Sequence, residues 1–270
     1  MSETGLEMVG FPAFWNQVHD RYPLAFGAIH RLHSIQADLF AKPLEEPLYY
    51  VIRHISKVAF NSLGALTIVV LNGYGHDGMK IARSMFEADV TVQYLAKHPH
   101  KLDDYLDFHH ITTKKNLDYL DKYAPEVVKA LPATRRTEID QDYNNVLPRF
   151  TTKRGIRNSW SDKSVALMAA EVGLAELYPT FYSWASAIHH ANISGLSTQT
   201  DDSGDVEVAP SLGWVDLALI SGHRAALSLL TTFNNVAALG MDNQLEDARQ
   251  DFQRAWTGTS SVVETRNPLP

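Results

Sequence analysis

The sequence predicts an all-α fold, a helical bundle of eight or nine helices. Three observations carry that expectation. Apolar residues recur three and four apart through most of the chain, and few segments alternate at two. The clearest proline and glycine clusters fall between the periodic runs. The first run covers 12–40, and Pro43 with Pro47 brackets the connection to a second over 47–72. Asn72-Gly73-Tyr74-Gly75 breaks the chain before a third over 77–98, where Asp77 is placed as an N-cap. A fourth covers 101–123. Pro125-Glu126 reads as a first helical turn and opens a fifth over 125–146, which Pro148 ends. Helices over 163–172 and 175–192 follow. Thr198 to Ser211 is the one loop-like insertion, within which Val206 and Val208 suit a short hairpin strand. Helices over 213–239 and 242–256 complete the bundle. There is no internal repeat and no low-complexity linker, so residues 1–258 are expected to form one domain, followed by a flexible tail over 259–270.

Composition narrows the class. A chain of 270 residues, 45% apolar and 20% charged, is long enough for one large core and has the balance of a globular protein. It contains no cysteine, which excludes a disulfide scaffold, a thiolate metal site and a cysteine nucleophile. The segment MSETGLEMVG carries no secretory signal, and the nearly apolar stretch Val58 to Leu71 is too short to span a bilayer. A cytoplasmic location, away from membranes, is the expectation. A net charge of −7 disfavours a nucleic-acid coat. Basic residues do gather at Arg149, Lys153, Arg154, Arg157 and Lys163, a segment suited to a phosphate-bearing ligand.

Several polar residues fall on apolar helix faces. On the helix from Asp77, positions 83, 87, 90 and 94 form one stripe: Arg83, Glu87, Val90 and Tyr94. Arg83 and Glu87 thus make an i,i+4 ion pair in a mostly apolar wall, with a guanidinium fork suited to an anionic or carbonyl group. On the next helix Tyr105, His109, Thr112, Asn116 and Tyr119 share a face. Further on, Tyr178, Tyr182, Ser186 and His189 line up, and Ser186 is spaced to meet either His189 or His190. No Gly-x-Ser-x-Gly elbow surrounds Ser186, so serine hydrolysis is disfavoured. His76-Asp77 leaves a glycine-rich turn without the aspartate that would complete a metal phosphohydrolase. The paired Glu-x-x-His motifs of di-iron proteins are also missing. No metal and no cofactor is expected.

At these residues the chain resembles a bacterial family known as domain of unknown function 5677. The resemblance rests on Arg83-Ser84-Met85-Phe86-Glu87, on the helix bearing His110 and Lys114, and on Trp160-Ser161-Asp162-Lys163-Ser164. It continues through Gly173, Tyr178, Tyr182, Ser186 and His189, and covers about residues 77–195. It implies a helical domain whose site gathers these residues, and it implies no reaction. A more distant similarity is to the helical HEPN ribonucleases, which pair an arginine with a histidine on one helix. No arginine precedes His189 on its helix here.

The leading expectation is a polar pocket for a small polar or anionic ligand, perceived in a stress or phage-defence setting. Its ligand-binding residues are Arg83, Glu87, His109, Lys114, Trp160, Tyr182, Ser186 and His189. The alternative is a ribonuclease or phosphodiesterase with His189 as general acid/base and Arg83 stabilising phosphate charge. A third reading is a scaffold whose polar cluster only specifies packing. A homodimer is expected from Val215 to Leu239, whose Leu217, Ile220, Leu227, Leu230, Val236 and Leu239 exceed what one neighbouring helix covers.

Overall fold

The computed structural model of the protein describes residues 10–190, 193–197, 200, 205 and 210–257. Among them the chain is all-α, with twelve α-helices and one two-stranded hairpin. The first four helices are α1 (Pro12–Arg21), α2 (Pro23–Ala41), α3 (Pro47–Leu71) and α4 (Gly75–Lys97). A 3₁₀ turn at Pro99–Lys101 leads into α5 (Leu102–Tyr123), α6 (Pro125–Lys129) and α7 (Ala133–Phe150). The hairpin pairs β1 (Thr151–Thr152) with β2 (Gly155–Ile156), and α8 (Val165–Glu171) follows. A π-helical turn at Tyr178–Tyr182 runs into α9 (Ser183–His189), and α10 (Ile193–Ser197), α11 (Val215–Ala237) and α12 (Asp242–Trp256) complete the order.

Proline accounts for most departures from the expected boundaries. The run over 12–40 is cut at Tyr22 because Pro23 starts α2 at its first position, where a missing N–H costs nothing. The run over 125–146 is two helices, with Pro132 as the N-cap of α7. Pro148 does not end that helix. It lies in the last turn, where it removes a single ladder bond, and α7 continues to Phe150. At the start of α4, Gly75 permits a close crossing: a Cβ there would lie 1.9 Å from the Gly213 carbonyl oxygen. The expected strand at Val206 and Val208 and the expected tail over 259–270 lie outside the described residues.

By contact the chain forms two compact units: Met1–Ala96 with Met168–Pro270, and Lys97–Leu167. In the first, α11 packs along α3, where Gly222 lies against Leu63 and Leu66. Phe40, Phe60 and Phe233 interlock edge-on between α2, α3 and α11. The apolar surplus of α11 is covered inside the chain by α2, α3 and α12. Leu227 and Leu230 are buried, and Leu217, Ile220, Val236 and Leu239 are half-buried. Those four keep part of their apolar surface outside the contacts made within the chain. By length and composition α3 could cross a membrane, but it spends Ile52, Phe60, Leu63, Leu66 and Val70 on the protein core.

In the second unit α5 and α7 run antiparallel around two small cores. One joins Ile111, Val146 and Phe150; the other joins Leu117, Val128 and Ile139. Ion pairs follow the seam in opposite chain order: Asp107 with Arg149 at 2.7 Å, Lys114 with Asp140 at 2.9 Å, then Asp121 with Arg136.

Candidate functional site

The first unit gathers a closed polar triad on α4 and the π turn. The Arg83 Nη2 is ion-paired with Glu87 Oε1 at 2.9 Å and donates to the Tyr182 hydroxyl at 3.0 Å. That hydroxyl in turn donates to the same Glu87 Oε1 at 2.6 Å. The guanidinium also lies 5.0 Å from the centre of the Tyr182 ring. The ring also stacks on Tyr178 at 4.8 Å, and Phe86 abuts it at 5.5 Å. Burial, and then the bond to Glu87, push the Tyr182 phenol up to about 12, so it acts as a neutral donor and not as a base.

The i,i+4 spacing of α4 aligns Arg83 with Glu87, and apolar neighbours seat them. Met79, Ala82, Phe86 and Val90 are buried, which pins this face of α4 against the core. Tyr182 reaches the pair through the π turn. Pro179 has no N–H to give the Ala175 carbonyl, and its ring crowds that carbonyl, so a wider turn replaces the α-helical one. Pro179 was the sequence signal for this irregularity, and periodicity alone passed over it.

The triad is not uniformly buried. Side-chain exposure is 14% for Arg83 and 35% for Glu87. One atom stands out: Arg83 Nε is buried and has no hydrogen-bond partner among the described residues. A buried donor left unpaired costs about 1–3 kcal/mol.

Ser186 and His189 lie one and two turns beyond Tyr182. His189 is exposed, and its ring meets that of His190 at 4.9 Å. Seven residues along a helix is about 10 Å of rise, which places His189 two turns along the same face as Tyr182. The Ser186 hydroxyl is half-buried and bonds to neither imidazole; only its carbonyl is used, accepting from the His190 N–H at 3.0 Å. The expected hydroxyl–imidazole contact is therefore not formed.

His109, Lys114 and Trp160 belong to the second unit. His109 is exposed, with its Nε2 3.3 Å from the Thr113 hydroxyl. Lys114 is committed to Asp118 at 2.8 Å and Asp140 at 2.9 Å, and hydrogen bonds to those two carboxylates hold its ammonium above the ordinary lysine range. Trp160 packs edge-on against Tyr105 at 5.3 Å. The Tyr105 face read from the sequence is mostly solvent-facing: Thr112, Asn116 and Tyr119 are exposed.

Two buried polar groups in the first unit escaped the sequence reading. Asp89, on α4, accepts at Oδ1 from Gln93 at 2.9 Å and from the Ser228 hydroxyl at 2.7 Å. Burial raises its carboxyl to about 6 despite those bonds. On α11, His223 is fully buried and accepts at Nδ1 from the Trp256 indole at 3.1 Å. Burial lowers its imidazole to about 4, and its Nε2 has no partner.

The elements that build this geometry coincide with a recognisable sequence family. A model of the family of unknown function DUF5677 matches residues 49–206. The chain belongs to that family. The match takes in α3, all of α4 and the whole second unit, so it extends beyond the 77–195 block read from the motifs. It also includes Arg83, Glu87 and Tyr182 together. No curated protein and no solved structure matches the chain.

Proposed function

We propose that this DUF5677 protein is a binding protein whose first unit uses Arg83 to recognise a small polar or anionic ligand. The observation that supports this reading is the buried Arg83 Nε–H without an acceptor. The other guanidinium contacts are tight, so the orphan is not a sign of a loosely placed side chain. A carboxylate, phosphate or carbonyl oxygen is the partner that would satisfy it. Glu87 and Tyr182 then act as positioning residues that fix the plane of the fork.

Catalysis draws less support from the same geometry. Tyr182 is held protonated, and Glu87 Oε1 is engaged by both the Tyr182 hydroxyl and the Arg83 guanidinium. The cysteine-free composition is consistent with a reducing, cytoplasmic setting for such a binder.

The test is a thermal-shift panel of small carboxylates, phosphate esters and carbonyl compounds on wild type and Arg83→Lys. Lysine keeps the charge and loses the Nε–H. A ligand present at one hundred times its Kd stabilises the native state by about 2.7 kcal/mol. That stabilisation should appear in wild type and disappear in Arg83→Lys. A panel in which both proteins respond alike rules the reading out.

A further inference from the structure

The seam between α5 and α7 holds a second cluster, separate from Arg83. His109, His110 and Thr113 on α5 and Arg135, Ile139 and Asp142 on α7 line one cleft. Elsewhere on this seam permanent cations close on aspartates at 2.7 and 2.9 Å. Here the cation is a histidine, and the rung is open: His110 Nδ1 is 3.5 Å from Asp142 Oδ2, beyond a good hydrogen bond. The His109 ring lies 5.6 Å from that of His110, so two imidazoles face one small space.

We propose that this cleft is a pH-gated site for a phosphate-class oxoanion, with the His109 and His110 imidazoles among its donors. Two imidazoles, the Thr113 hydroxyl and the Arg135 guanidinium are donors, against the single carboxylate of Asp142. With Arg135 balanced by Glu138, Asp142 leaves the lining one negative charge, so it attracts an anion only when both imidazoles carry a proton. The surrounding charges are already paired. Arg135 also meets Glu138 at 2.9 Å, Lys114 is closed on Asp118 and Asp140, and Lys129 on α6 bonds Glu126 at 3.0 Å.

Sulfate and inorganic phosphate are the probes, and sulfate keeps its charge across the pH range. The readout is the histidine ring signals in NMR, assigned with His109→Gln and His110→Gln. Both signals should saturate with sulfate at pH 5.5, with affinity about tenfold weaker at pH 8. His110→Gln and Arg135→Gln should each weaken binding by a similar factor. Adenosine monophosphate binding more tightly than phosphate would identify an ester as the ligand form, and equal affinity the free anion. Sulfate that perturbs neither ring, or binds equally at both pH values, overturns the site. Retention of a panel response at Arg83 in His110→Gln keeps the two readings separable.

Discussion

The Tyr182 hydroxyl donates to Glu87 Oε1 at 2.6 Å, although the two residues are 95 positions apart in sequence. This bond ties the π turn to α4 and places the phenol between a carboxylate and a guanidinium. The hydroxyl both donates to Glu87 and accepts from Arg83, so removing it opens two bonds at once.

Tyr182→Phe should therefore lower stability by about 1–2 kcal/mol, since the ring stays packed on Tyr178 and Phe86 while a guanidinium donor loses its acceptor. Urea unfolding measures this. An unchanged midpoint would mean that the network adds nothing to the fold.

Glu87→Ala is a milder change than an entirely buried pair would imply. Full burial would make the loss about 3–5 kcal/mol. At 35% exposure for Glu87, water reaches the space left behind, and about 1–3 kcal/mol is expected. Glu87→Gln, which keeps the acceptor and removes the charge, should recover about half of it. Thermal unfolding of the two variants side by side gives the split.

Asp89 and His223 make opposing contributions to stability against pH. The folded Asp89 carboxyl titrates at about 6 against 3.8 unfolded, so the folded state holds more protons between those values and loses stability as pH rises. His223 titrates at about 4 folded against 6.5 unfolded, so stability falls as pH drops through that window. Each swing is about 3 kcal/mol, and in the native protein they largely cancel. Asp89→Asn should gain on wild type as pH rises from 3.8 to 6, and His223→Gln should gain as pH falls from 6.5 to 4. Denaturant midpoints across that range test both signs, and flat difference curves would contradict the burial argument.

The second unit should depend on its small core far more than on its ion pairs. Phe150 is fully buried, with Phe108 against one edge and Arg157 over its face at 4.9 Å. Phe150→Ala should cost about 3–5 kcal/mol. Lys114→Met should cost no more than about 1 kcal/mol, because Asp118 and Asp140 are both more than half exposed. Hydrogen exchange of α5 and α7 amides in the two variants separates these outcomes.

The helical class, most helix positions and the Arg83–Glu87 pair were legible from periodicity, because a repeat of 3.6 residues and an i,i+4 spacing are local properties. Which residues meet Arg83 across helices was not legible from the same stripes, because a shared face fixes direction on one helix and says nothing of its neighbour. Asp89 and His223 were invisible for a related reason. Each is one polar residue in an apolar helix, and what makes it informative is a partner far away: Ser228 lies 139 positions from Asp89.

The sequence by itself determined that this chain is helical, where prolines can restart a helix, and that α4 carries a charged pair on an apolar wall. Those follow from backbone geometry and side-chain chemistry within a few residues. Only the tertiary structure decided that Tyr182 closes the pair, that Lys114 is consumed by two aspartates, and that Leu227 and Leu230 of α11 are buried within the chain. It alone also shows that one guanidinium N–H remains without an acceptor. Hydrogen-bond satisfaction and burial depend on which surfaces meet, and no local pattern encodes that.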